Sequence, residues 1–254
     1  GSSIPALIFG VAFGNLLLGV PFQYDADLRV THSGSFWALL NPFALLAGVV
    51  SLSMLTMHGA VYLQHRTEGE ICARAKQAAK VSALVLIATL VVAGLWIAGG
   101  IEGYKIISMP SPNAAFIPLA KVVEKASGAW LNNYTLYPWT ILAPILATGG
   151  AIVALLLSVS NRTATALIFS ALSVAGVILT AGLAMFPFIM PSSTFPSSSL
   201  TAWDAVSSHR TLQIMFWAAV IFLPLIAAYT SWVYRVLRGK ITVESIQENK
   251  HAAY

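Results

Sequence analysis

Charge is what this chain has least of. Asp, Glu, Lys and Arg make up 9% of its 254 residues, 57% are hydrophobic, and the mean hydropathy is +0.78. A water-soluble domain of that length needs a charged surface, so the deficit points to an integral membrane protein. Cysteine is almost absent too. Cys72 stands alone, which excludes an internal disulfide, and beside Arg74 and Lys76 it reads as a solvated thiol rather than a reactive one. The loops carry no Walker-type, Cys-rich or Ser–His–Asp signature. Gly1 leads into the first apolar run without a positively charged leader. That is not the pattern of a signal peptide, and the expectation is a segment of a longer chain.

What the chain does have is a series of charge-free apolar runs, each long enough to cross a hydrocarbon core of about 30 Å as a helix. Six such spans are expected: Ile4–Val20, Pro42–Gln64, Val81–Ile101, Pro138–Ser160, Ala164–Phe186 and Leu212–Tyr234. Asn41 is placed to cap the second span with Pro42 at its first helical position, and Pro224 is placed to kink the sixth. The runs do not alternate polar and apolar at period two, which argues against a membrane β-barrel. The fold class is therefore all-α, a polytopic membrane helical bundle, with residues 1–254 forming one transmembrane domain. Between the third and fourth spans a short helix is expected around Pro118–Ser127.

Basic residues set the orientation. Arg66, Arg74, Lys76, Lys80, Arg162, Arg235, Arg238, Lys240 and Lys250 fall on one side; Arg29, Lys105, Lys121, Lys125 and Arg210 fall on the other. The richer side is cytoplasmic, which puts both ends of the segment there. Trp37, Trp130, Trp139 and Trp203 all fall on the outer side, as an interfacial aromatic belt would. The basic residues are spread over several short loops, so the net charge of +5 carries no nucleic-acid signal.

Inside the spans ionisable groups nearly vanish. His58 is the only one; no Asp, Glu, Lys or Arg accompanies it. A hydrogen bond to a neighbouring helix is its expected role, ahead of lining a polar pathway or ligating a haem or metal. A bis-histidine haem needs two such side chains on facing helices, and a proton relay needs a chain of carboxylates or histidines. His32, His65, His209 and His251 lie outside the spans, and Met54, Met57, Met185, Met190 and Met215 sit at apolar positions that read as core. No residue is put forward as catalytic, cofactor-binding or metal-ligating. Gly10 and Gly14 make a GxxxG spacing that lets another helix approach the first span, and Gly48, Gly59, Gly99, Gly100, Gly149, Gly150, Gly176 and Gly182 suggest close packing. Pro191 and Pro196 rigidify the polar 190–210 loop, which is expected to be an ordered lid on the outer end, with Asp204 bonded to backbone N–H groups at a local turn.

Several stretches, in order along the chain, resemble subunit II of the bacterial cytochrome bd quinol oxidase: GVAFGNLLLGVPF at Gly10–Phe22, LLNPFALLAGVV at Leu39–Val50, GAWLNN at Gly128–Asn133, AGLAMFPFIMPSST at Ala181–Thr194, SLTAWDAVSS at Ser199–Ser208, and the tail from Gly239 onward. The resemblance implies nine transmembrane helices, two four-helix bundles and a peripheral last helix, of which these six correspond to the last six. It implies a respiratory enzyme of the bacterial inner membrane that oxidises quinol and reduces oxygen to water. Haems b and d are then expected on the partner, subunit I. This subunit is expected to stabilise that partner, in some members to hold a bound quinone, and to sit with a small single-helix subunit in some complexes. The family's His-Trp-Asp-Gly stretch and its acidic residue belong to helices not found in this sequence, so no proton-path role is carried onto any residue here.

Two other readings stand beside it. A secondary transporter would use helices broken at Pro144 or Pro224, but transporters usually carry intramembrane charge. A purely structural membrane scaffold is the third.

Overall fold

The structure is a computed structural model that describes residues 2–110 and 117–236. Helix α1 (Ser3–Leu18) is followed by the β1–β2 hairpin (Phe22–Tyr24, Val30–His32), then α2 (Pro42–Arg66) and α3 (Gly69–Gly100). A second hairpin pairs β3 (Glu102–Ser108) with β4 (Val122–Ser127) and leads through the short α4 (Asn132–Leu136) into α5 (Leu142–Val159) and α6 (Thr163–Met185). A third, β5 (Phe188–Met190) with β6 (Leu200–Thr201), precedes α7 (His209–Val236). Five helices are long and apolar enough to cross a membrane: α2, α3, Pro138–Val159, α6 and α7. The sixth, α1, has 16 residues and stops at Gly19, whose φ of 87° suits glycine.

Close backbone approach organises the bundle. A Cβ on Gly10 would meet the Ala47 carbonyl oxygen at 2.3 Å, and one on Gly14 the Ala44 Cα at 2.6 Å, so the GxxxG face is where α1 lies on α2. On α5, Ala143, Ala147, Ala151 and Ala154 form a buried small-residue row. Ala166, Ser170, Ser173 and Gly176 of α6 oppose it, and the Ser173 hydroxyl donates to the Ala147 carbonyl at 2.7 Å. Not every glycine does this: a Cβ would meet nothing within 4 Å at Gly59, Gly99, Gly149 or Gly182. Larger side chains fill the middle, where Val50, Met54 and Met57 of α2 pack with Leu86 of α3.

The termini of α2 follow from its sequence. The Asn41 carboxamide oxygen accepts from Ala44 N at 2.8 Å, and its nitrogen donates to Asn15 Oδ1 at 3.0 Å, so the cap also ties α2 to α1. Pro144 lies in the first turn of α5, where its missing N–H has no intrahelical partner to lose, and α7 stays helical through Pro224. Neither proline opens a broken helix of the kind a transporter site uses.

Several expectations need correction. The loop expected before the third span is helical: α3 starts at Gly69, so Arg74, Lys76 and Lys80 lie on the helix and only Thr67 and Glu68 separate α2 from α3. No α-helix occupies Pro118–Ser127, where a single 3-10 turn is followed by β4. Trp130 is no belt residue. It is 1% exposed, whereas Trp37 is 75% exposed. Arg238, Lys240, Lys250 and the tail from Gly239 lie outside the described residues.

Candidate functional site

With the charge bias as the guide to orientation, all three hairpins lie at the outer end, where they join into one cap. Loop serines do the joining. The Ser198 hydroxyl accepts from Tyr24 N at 3.1 Å and Ser197 from Val123 N at 3.3 Å, while Ser199 accepts from Ser192 N at 2.9 Å within the third hairpin. The buried Ser192 hydroxyl donates to the Phe22 carbonyl. Hydroxyls of this kind satisfy backbone groups that short hairpins leave unpaired.

Beneath the cap, Tyr104 of β3, Trp130 and Phe188 of β5 pack ring against ring, with centroids 5.6 to 6.1 Å apart. The Trp130 indole N–H donates to the Leu17 carbonyl at 3.0 Å and the Tyr104 hydroxyl to the Leu18 carbonyl at 3.3 Å. These are orphan carbonyls at the C-terminus of α1, so the aromatic cluster is also the helix's cap. Burial, and secondarily the Glu102 carboxylate, push the Tyr104 hydroxyl well above its ordinary range and keep it a donor. Burial also raises the hydroxyl of Tyr134 of α4, which donates to the Thr180 carbonyl at 3.1 Å.

The cap also holds a buried ion pair. Lys121 Nζ lies 2.5 Å from Asp204 Oδ2, with side chains 1% and 9% exposed, and Asp204 Oδ1 accepts from Thr201 N at 2.6 Å. The expected backbone bond to Asp204 is present, but its main partner is a lysine that sequence reasoning missed. The signal available was a lone lysine between apolar residues at Leu119–Val123.

Under the cap lies a cavity of about 740 Å³ in the outer half of the bundle. Phe13 and Leu17 of α1, Phe43 of α2, Leu90 and Ile97 of α3, and Ala184 of α6 are among its walls. Four of its five hydroxyls are engaged: Tyr134 as above, and Thr135, Thr148 and Thr180 to the Asn132, Pro144 and Gly176 carbonyls, each of these three at 2.7 Å; Ser51 is the fifth. The cavity is shaped for a hydrocarbon chain and offers few free polar contacts.

His58 lies elsewhere, toward the cytoplasmic half, with Nδ1 2.9 Å from the Ser170 hydroxyl of α6. The Ser170 hydroxyl also lies 2.8 Å from the Leu167 carbonyl; when it donates there, its oxygen can accept only from a protonated Nδ1 of His58. One heptad nearer the cytoplasm His65 repeats the pairing with Thr163 at 2.9 Å, and the buried Gln64 exchanges two bonds with Ser158 of α5. Cys72 is half-buried, with its thiol 3.6 Å from the Gln64 carbonyl. Among the described residues no group of three or more His, Cys, Asp or Glu is placed to hold a metal ion. His58 is the one histidine that the sequence places inside a span, and its contact with Ser170 through Nδ1 leaves Nε2 uncommitted.

Fold and site together define a polytopic membrane subunit with an outer cap and an apolar cavity. A model of the family described as cytochrome bd terminal oxidase subunit II matches residues 1–237. Over all 254 residues the chain is 48% identical to cytochrome bd-I ubiquinol oxidase subunit 2 of Escherichia coli K12, spanning 67% of that protein. It is 44% identical to the probable cytochrome oxidase subunit 2 of Haemophilus influenzae, again across the whole chain and 67% of the relative. Against cytochrome bd ubiquinol oxidase subunit 2 of Bacillus subtilis the identity is 27%, over 95% of this chain and 62% of the relative. The chain belongs to the cytochrome bd terminal oxidase subunit II family. It is a multi-pass subunit of a respiratory quinol oxidase of the bacterial inner membrane.

Proposed function

We propose that this chain is the haem-free partner of a haem-bearing subunit I, and that it supports quinol oxidation coupled to oxygen reduction without contributing a ligand to either haem. The observation that carries this reading is the poverty of intramembrane ligands: His58 stands alone within the spans, where a bis-histidine haem needs two. Haems b and d then reside on subunit I, where they supply the electron transfer and oxygen chemistry. The apolar cavity under the cap accommodates the isoprenoid chain of a quinone, gripped by dispersion contact with Phe13, Phe43, Leu90 and Ile97. A small single-helix subunit is a further partner in keeping with the family resemblance.

The test is a reduced-minus-oxidised spectrum of the co-purified complex and of this subunit expressed by itself, with quinone extracted from both. Haem bands in the complex only, and quinone retained by the isolated subunit but reduced by Ala184→Trp, are the expected results. A stoichiometric Soret band in the isolated subunit would overturn the haem-free assignment. Quinone retention unchanged by Ala184→Trp would remove the quinone from the cavity.

A further inference from the structure

At about 1.5 Å per residue, the 32 residues of α3 reach about 48 Å, against about 30 Å of hydrocarbon. The charge-free stretch Val81–Gly100 is enough to cross, so Lys76–Lys80 stands in the headgroup region on the cytoplasmic side and the helix continues beyond it to Gly69. Lys76 and Lys80 are four residues apart and share one helix face. Continuing along that face come Leu84 and Val91, each about half-exposed, with Val91 at the edge of the apolar cavity. One face of α3 thus presents cations at headgroup depth and an apolar strip at acyl-chain depth.

A second element completes the arrangement. Lys76 Nζ donates to Asn161 Oδ1 at 2.8 Å, which braces α3 against the turn before α6. Asn161 holds that turn in the left-handed region with φ 62°, and the next residue is Arg162. Among the described residues on this side, Arg66, Arg74, Lys76, Lys80, Arg162 and Arg235 stand against only Glu68 and Glu70. On the outer side Arg29, Lys105, Lys121, Lys125 and Arg210 meet as many carboxylates: Asp25, Asp27, Glu102, Glu124 and Asp204. The cytoplasmic excess has no counter-charge within the described chain.

We propose that Lys76, Lys80 and Arg162 seat the headgroup of an anionic phospholipid whose acyl chains lie along Leu84 and Val91. Charge complementarity supplies the headgroup contact. Continuity of the cationic face with the apolar strip favours a lipid over an acidic protein segment or a free anion, neither of which would use that strip.

The experiment takes the assembled oxidase complex in mixed micelles containing phosphatidylglycerol and phosphatidylcholine. Lipids retained through stepwise delipidation are counted by native mass spectrometry, and the haem spectrum reports assembly. The native complex should retain phosphatidylglycerol preferentially. Replacing the exposed Lys80 by Gln should lower that preference about fivefold, and Lys76→Gln with Arg162→Gln should lower it further. Lys80→Arg should keep it, and inorganic phosphate at matched ionic strength should not displace the lipid. Equal retention of the two lipids by the native complex would overturn the proposal. So would an unchanged preference in Lys80→Gln, the variant least able to disturb folding. Displacement by inorganic phosphate would show a free-anion site instead of a lipid seat.

Discussion

Lys121 Nζ and Asp204 Oδ2 meet at 2.5 Å inside the outer cap, one from the strand β4 approach and the other from the loop that leads into α7. None of the described residues of α7 is buried, so this pair fastens the loop from which an otherwise unburied helix departs. Breaking such a pair from one side leaves a buried charge uncompensated, at about 3–5 kcal/mol, whereas replacing both ions can be neutral. Asp204→Asn alone should therefore lower the yield of assembled complex, even though Asn preserves the side-chain shape. Asp204→Asn combined with Lys121→Met should recover much of it. If instead Asp204→Asn assembles normally with full haem content but loses oxygen uptake, Asp204 acts in proton release and not as a latch.

The α1–α2 contact offers a sharper steric test. Gly10→Val places a Cβ where the Ala47 carbonyl oxygen already lies at 2.3 Å, and backbone has no rotamer with which to yield. Gly182→Val adds the same volume where nothing lies within 4 Å. The first variant should fail to accumulate in the membrane and the second should match the native level, as read by immunoblot of the membrane fraction. Equal accumulation would mean that α1 does not dock on α2 through this glycine.

These contrasts also mark how far the sequence could be read. The spans were legible because an uninterrupted apolar stretch of about 20 residues has one cheap conformation in lipid. The start of α3 was not, because Arg74, Lys76 and Lys80 resemble a polar loop in any hydropathy window; the helical spacing of Ala75, Ala79 and Ala83, now seen buried, was the overlooked signal. Strands β3 and β4 are separated by a connection with its own 3-10 turn, and nothing local to either shows that Tyr104 pairs with Lys125. Trp130 and Trp139 look alike in sequence, yet only tertiary packing makes one a buried donor to Leu17 and leaves the other exposed. The cavity escaped notice for a related reason: its walls come from separate helices, and apolar residues lining a void read like apolar residues filling a core.

The Tyr104 hydroxyl gives the cap a pH dependence with a definite sign. Its native pKa lies above the ordinary value of 10.0, through burial first and Glu102 second. The unfolded chain therefore releases this proton before the folded one does. The stabilisation is complete below about pH 10 and is lost as pH rises from there toward the native value. Thermal unfolding of the purified complex should show an alkaline loss of stability that is smaller in Tyr104→Phe. At neutral pH that variant should be less stable by about 1–3 kcal/mol if the Leu18 carbonyl is left without a partner. An alkaline limb of the same size in both proteins would assign it to another group.

His58 is the last test, because it separates packing from ligation. If its work is the Nδ1–H bond to Ser170, the loss in His58→Leu should be small, about 0.6 kcal/mol and at most about 1.7, as for other hydrogen bonds between membrane helices. Ser170 keeps its own bond to the Leu167 carbonyl in that variant, so no orphan donor is created. Asn at the same position can still offer an N–H near where Nδ1 lies and should behave closer to native. Nitrogen NMR of a histidine-labelled complex should show the Nδ1-protonated neutral tautomer at this residue. Haem content and quinol-dependent oxygen uptake should stay near native levels in both variants. A His58→Leu complex that assembles at normal yield but has lost a haem band would make His58 a ligand and overturn the haem-free reading of this subunit.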